Sequence, residues 1–229
     1  MNAARRWWLV VLLALAGPAL TGPALAQAPE YLETGTLHAS VDGMVVTLHT
    51  YVTAVPDEAE GIADARARAL AGRLAGREVA TATTIVTPPL VVGETVVFPS
   101  TLTVELRGSV GAPERGRDDR RELVIGIRLD PDTLAWSGDP DHVSVAYHPE
   151  RWSGTAYYQL HALRLLELQH VEATSHTTLR IAGRLEATLV WRSGAFVVAF
   201  DLDRQADLVV DFEVDPVIGD EALTALLMR

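Results

Sequence analysis

Apolar and polar residues alternate with a period of two along most of this chain, the mark of strands with one buried and one wet face. Residues 34–41 and 44–53 flank Asp42-Gly43, a pair that tolerates positive φ and signals a two-residue hairpin loop. Such a loop sets Val41 against Met44, Ala39 against Val46 and Leu37 against Leu48. One face is then apolar, and the other carries Thr36, His38, Ser40, Val45, Thr47 and His49. Turn chemistry and hydrophobic pattern select the same register. Further strands are expected at 80–87, 95–98, 101–110, 123–129 and 143–147, punctuated by Pro88-Pro89, Gly93-Glu94 and a stretch rich in Asp and Pro at 130–149.

From Leu179 to Trp191 every odd position is apolar or glycine, and the even positions include Arg180, Arg184, Glu186 and Thr188. Ser193-Gly194 reads as a second two-residue turn, setting Trp191 against Phe196, Leu189 against Val198 and Ala187 against Phe200. A loop at 203–205 then sets Phe200 against Leu208, Val198 against Val210 and Phe196 against Phe212. The expectation is a three-strand antiparallel meander with one wet side. Residues 156–171 fit two periods. Leu160, Leu163 and Leu166 sit at helical spacing, whereas Leu163, Leu165 and Val171 suit a strand, the preferred reading because the segment leads straight into the meander. A helical excursion is expected at 56–76, with Ile62, Ala65, Leu70 and Leu74 as its stripe. A short terminal helix is expected at 220–228. The mixed-charge run at 114–122 reads as a solvated hairpin tip. Together these predict an all-β domain, an antiparallel β-sandwich or flattened barrel with a short helical insertion and a short C-terminal helix.

The N-terminus changes the picture by giving an address. Arg5 and Arg6 precede an apolar run from Trp7 to Ala16, and Ala24-Leu25-Ala26 forms a small-residue cleavage site before Gln27. This is the pattern of a secretory signal peptide, not of a membrane span. Residues 1–26 are therefore expected to be removed, leaving one β-rich domain at 27–229 in the periplasm or outside the cell. The net charge of −11 argues against nucleic acid and anionic lipid as partners. There is no cysteine, and all 19 basic residues are arginine. Stability must come from the core alone, and mechanisms that need a thiolate or a lysine amine are excluded.

Two strands share the pattern G-x-L-x-A-[ST]-[VL]: Gly35 to Val41 and Gly183 to Leu189. They are compatible with an old duplication or with two strands under the same steric demand. The segment 179–189, LRIAGRLEATL, follows a long candidate strand. It resembles a pattern found in uncharacterised exported bacterial β-rich envelope proteins. That resemblance implies a β-sandwich fold and an envelope address, and it carries over no catalytic residue.

Candidate chemistry is sparse. In the hairpin register His38 and His49 are diagonal neighbours on one face, close enough for two imidazoles to share a metal. The expectation is that they are simply polar-face residues, with no metal and no cofactor. Asp130-Pro131-Asp132 and Asp139-Pro140-Asp141 offer oxygen ligands for calcium but lack the EF-hand spacing, and Asp-Pro is an ordinary turn starter. No G-x-S-x-G motif occurs, and no catalytic residue is assigned. The preferred reading is a non-catalytic envelope module that binds a ligand or partner. The alternatives are a secreted hydrolase with a triad assembled from distant residues, or a metal- or calcium-binding periplasmic protein. The candidate ligand-binding residues are His148, Arg151, Trp152, Tyr157 and Tyr158, the side-chain types enriched at binding hot spots, gathered around Pro149 and Gly154.

Overall fold

The computed structural model describes residues 30–54, 81–87, 89–111, 121–149, 156–175, 178–193 and 199–218. The strands are β1 (Glu30–Val41), β2 (Met44–Ala54), β3 (Ala82–Thr87), β4 (Leu90–Val92), β5 (Thr95–Phe98) and β6 (Thr101–Ser109). They continue with β7 (Glu122–Leu129), β8 (Val143–His148), β9 (Ala156–Ser175), β10 (Thr178–Ser193), β11 (Ala199–Val214) and β12 (Val217–Ile218). A 3-10 turn at Pro140–His142 precedes β8. The fold is all-β, as the alternation predicts. The leader, the helical excursion at 56–76, the charged run at 114–120 and the terminal helix at 220–228 lie outside the described residues.

The large sheet closes on itself. The ring runs β1-β2-β6-β7-β8-β9-β10-β11 and returns to β1, with every neighbouring pair antiparallel. Of the two architectures expected, this is the barrel. Eight strands leave an interior just wide enough for side chains to fill. Leu37, Leu48, Leu102, Leu106, Leu123, Ile125, Ile127, Leu179, Ile181, Leu185, Leu189 and Leu208 fill it, all fully buried. Each contributes about 1.5–3 kcal/mol relative to exposure. β3 and β12 extend the wall, pairing with each other in parallel and with β6 and β10 respectively.

The β1–β2 hairpin has the expected register, with Val41 opposite Met44 and Leu37 opposite Leu48. Asp42 (φ 50) and Gly43 (φ 79) both take the positive φ that the tight turn requires. Residues 156–175 form a strand, not a helix.

The C-terminal meander differs from its expected register. β11 is one continuous strand along β10, with Leu189 opposite Ala206, Ala187 opposite Leu208, Leu185 opposite Val210 and Gly183 opposite Phe212. The tripeptide Asp203-Arg204-Gln205 does not reverse the chain. The partners jump from Val190↔Gln205 to Trp191↔Asp201, so residues 202–204 bulge out of the ladder. Leu208, Val210 and Phe212 do share the buried layer, but Phe200 pairs with Arg192 and is 52% exposed. The physical reason is closure. β11 must reach β1 on its other edge, where Val41 meets Leu208 and Leu37 meets Phe212. Phe196 and Val198 lie outside the described residues.

Candidate functional site

The end of the barrel that carries the Asp42-Gly43 turn also holds the end of β8 and the starts of β7, β9 and β11. Ladder pairing puts Glu122 opposite His148, Tyr147 opposite Tyr158, and Tyr157 opposite Arg192. Three of the expected binding residues, His148, Tyr157 and Tyr158, are thereby brought together. Arg151 and Trp152 lie outside the described residues.

The His148 ring stacks at 4.9 Å from Tyr157. It is buried, 6% exposed, and burial, with a smaller push from the Arg107 guanidinium, drives its pKa down to about 4. It is therefore neutral at ordinary pH. Tyr147 is core, its phenol pushed up by burial. Tyr157 and Tyr158 are only partly covered.

Two arginines and a tryptophan join these rings in two groups, because successive residues of a strand face opposite sides: Arg192 lies with Tyr157 and His148 on one face, and Arg204 and Trp191 lie with Tyr158 on the other. The Arg204 guanidinium lies 3.7 Å from the centre of the Trp191 ring, and its Nε donates to the Tyr158 hydroxyl at 3.2 Å. Trp191 meets Tyr158 edge-on, with centroids 5.0 Å apart. Arg192 sits 5.1 Å over the Tyr157 ring. Sequence reasoning missed Trp191, Arg192 and Arg204. The bulge at 202–204 is what aims Arg204 at Trp191, and re-aiming a side chain is what bulges do near functional sites. The only sequence signal was the polar break at 201–205 within an apolar strand, which looked like a turn. Among the described residues no ion pair involves Arg192 or Arg204, and each guanidinium lies over an aromatic ring, Arg192 over Tyr157 and Arg204 over Trp191. Stacked guanidinium is suited to holding carboxylate or phosphate in a fixed fork, and the rings to covering a sugar or peptide face.

The other candidates take up separate positions. His38 Nδ1 lies 3.3 Å from Thr47 Oγ1, and His49 Nδ1 lies 2.8 Å from Glu33 Oε1, so the two imidazoles turn to different partners. In the first Asp-Pro-Asp, Asp130 Oδ1 accepts from the Asp132 and Thr133 amides, both at 2.9 Å, and from the Thr133 hydroxyl at 3.0 Å. The Thr133 bonds hold its pKa below the usual range. In the second, Asp139 Oδ1 caps the Asp141 amide at 2.9 Å. Both carboxylates act as turn starters.

Ser137 Oγ lies 2.9 Å from His142 Nδ1, with Asp139 Oδ2 3.9 Å from the other ring nitrogen. A groove of about 520 Å³ opens where β8 and β9 diverge, lined on one side by Val143, Ser144 and Val145 and on the other by Leu160, His161 and Leu163. Among the described residues no helix is long and apolar enough to cross a membrane. The molecule is thus an antiparallel barrel with an aromatic and guanidinium cluster at one end. No family model, no curated protein and no solved structure matches the chain.

Proposed function

We propose that this chain is an exported, non-catalytic binding module of the bacterial envelope, periplasmic or secreted. Its ligand site is the group of Tyr158, Trp191 and Arg204 on one face of the β9–β10 ladder, with Tyr157, Arg192 and His148 stacked on the other face. The observation that carries the reading is the Arg204 guanidinium, which lies 3.7 Å over the Trp191 ring beside the bulge in a chain whose net charge is −11. A chain that spends backbone regularity to fix a cation on an aromatic shelf has a positive, planar recognition element on an acidic body. The ligand it fits offers an anionic group beside a flat or ring face, as acidic polysaccharides do.

The test is a pair of variants, Arg204→Ala and Arg192→Ala, assayed by thermal melting and by binding to envelope polysaccharide, peptide and lipid extracts. Arg204→Ala should weaken binding about tenfold or more, the loss expected of a charged hydrogen bond of about 1.5–3 kcal/mol, whereas Arg192→Ala, on the other face, should leave binding near wild type. Melting should stay near wild type. Binding left intact by Arg204→Ala, or lost only in step with stability, would remove the site.

One observation favours a hydrolase as the second reading: Ser137, His142 and Asp139 meet on one loop. Two features of geometry set it lower. The 3.9 Å from Asp139 to the imidazole exceeds a hydrogen bond, and Ser137 and Asp139 are solvent-exposed, although Pro140 and Asp141 of the same loop line the groove between β8 and β9. Labelling by a fluorophosphonate, lost in Ser137→Ala, would reverse that order.

A further inference from the structure

Arginines are unevenly paired in this molecule. Arg107, Arg164, Arg180 and Arg184 each meet a carboxylate at 2.9–3.5 Å. Arg121, Arg128, Arg192 and Arg204 make no ion pair among the described residues, and Arg121, Arg192 and Arg204 lie at the barrel end that carries the Asp42-Gly43 turn. The carboxylates near them are turned elsewhere. Asp42 Oδ1 accepts from the Asp207 amide at 2.8 Å, Asp201 Oδ1 accepts from the Asp203 amide at 3.2 Å, and Asp207 Oδ1 meets Arg164 at 2.9 Å. A chain of net charge −11 thus gathers cations without acidic partners at one end, which suits an anion from outside.

Two of the three share the inner side of the ring. Tyr158 stands opposite the buried Tyr147, and Trp191 opposite Tyr158, so both rings face the barrel's mouth, with Arg204 over them. Arg121 precedes the buried Leu123 by two residues, which puts it on the inner side as well. Its carbonyl accepts from the Val110 amide at 3.3 Å, carrying the β6–β7 ladder one step past Ser109↔Glu122. Its Nη1 reaches Met44 Sδ at 3.4 Å, and Met44 stands opposite the buried Val41 on the same inner side. A thioether is a weak acceptor, so an anion displaces it readily. Burial raises the Tyr147 pKa, and the Arg121 charge opposes that rise, as its place at the mouth requires. β7 and β11 are four steps apart in the ring of eight, each step about 4.8 Å along the wall. Arg121 and Arg204 therefore stand on opposite walls, with the Tyr147 and Tyr158 rings, 6.4 Å apart, on the strands between. A single small anion meets one guanidinium, whereas a chain of anionic rings crossing the mouth meets both.

We propose that Arg121 is the second anchor of the site and that the ligand is an extended polyanion, a glycan chain whose sugar rings lie on Tyr158 and Trp191 while its carboxylates engage Arg204 and Arg121. The proposal rests on Arg204 and Trp191 being the ligand site, and it adds the ligand's length and its number of charges. Each guanidinium offers parallel N–H donors that match a carboxylate, and the aromatic faces match sugar faces. Arg192 lies on the other face, over Tyr157, and takes no part.

The test is titration calorimetry of the purified full chain with galacturonate and with its linear decamer. Wild type should bind the decamer at least a hundredfold more tightly than the monomer, as two linked contacts do. Arg121→Gln should cut that advantage about tenfold and flatten the salt dependence of decamer binding. Arg204→Gln should weaken both sugars. Arg128→Gln removes the same charge at the far end of β7 and should change neither, with melting near wild type in all three variants. Decamer binding kept by Arg121→Gln but lost in Arg204→Gln would overturn the second anchor and leave the Arg204 site standing. Decamer binding unmoved by either variant would overturn both. An equal loss in Arg128→Gln would mean bulk charge and no second anchor. No binding of either sugar would overturn this proposal alone, because the Arg204 site is tested separately against peptide and lipid.

Discussion

His148 shows how one residue carries packing, charge and pH response together. Its ring packs against Tyr157, and β7 and β6 bring Glu122 and Arg107 beside it. The folded state holds it with a pKa of about 4 against the ordinary 6.5, so folding favours the neutral ring. Above pH 6.5 the ring is neutral folded or unfolded, and its contribution is complete. As pH falls from 6.5 towards 4 the unfolded chain takes up a proton that the folded chain refuses, and stability is lost. The loss is on the order of 3 kcal/mol across that window. Denaturant titrations at pH 7 and pH 4.5 should show a smaller drop for His148→Gln than for wild type. Parallel drops would mean that the ring is not held neutral. Gly183 makes a different point at the same scale. A Cβ there would run into the Glu167 carbonyl oxygen and lie 3.0 Å from the Phe212 ring. The motif strands of Gly35 and Gly183 flank β11 on its two sides, but a Cβ at Gly35 would strike β11 backbone, at Glu213 and Val214, whereas at Gly183 the backbone struck is that of β9. Each glycine of the shared pattern makes room for the backbone of a neighbouring strand.

At the scale of elements, β9 explains why its segment fits a helix and a strand at once. Its ladder with β10 skips His161, Arg164, Gln169 and Thr174, four irregularities all on β9. The residues opposite the inward positions of β10 are therefore Leu160, Leu163, Leu166, Leu168 and Val171. Each extra residue turns a spacing of two into three, and three mimics a helix. The bulges also twist a long strand whose outer edge meets β8 only at Gln159 and Tyr158, which discourages edge-to-edge association. β11 carries the complementary lesson. Local turn chemistry favours a reversal at 203–205, but ring closure against β1 outweighs it. Leu208→Ala, in the fully buried layer, should therefore cost about 2–5 kcal/mol. Phe200→Ala should cost within about 0.5 kcal/mol, as surface changes usually do. Chemical denaturation of the two variants decides this, and equal costs would reinstate the meander register.

For the whole molecule, closure substitutes for covalent support. There is no disulfide to hold the chain, and a ring of eight strands removes most of the edges that an open sheet would expose. The ring also has two unlike ends: one carries the aromatic and guanidinium groups, and the exposed apolar hairpin of β4 and β5 leaves the other. The export expectation belongs at this scale too. N-terminal sequencing of protein recovered from the periplasm or medium should begin at Gln27, and an intact Met1 in a membrane fraction would refute the leader.

Period-two alternation, the Asp42-Gly43 turn and the apolar odd positions of 179–189 determined by themselves that this chain is all-β and how β1 meets β2. These are local matters: a side chain's face follows from its neighbours two positions away, and a two-residue turn fixes a register. Composition determined in the same way that no thiol or lysine chemistry is available. Of the aromatic and guanidinium groups at the barrel's end, only Tyr157, Tyr158 and His148 could be read from the chain, because they lie near one another along it. Barrel closure, the bulges of β9 and β11, and the meeting of Arg204 with Trp191 were decided by tertiary structure. Each depends on which strand lies on the far side of another, and that is settled by filling one interior and closing one ring, a condition that no short window of sequence contains.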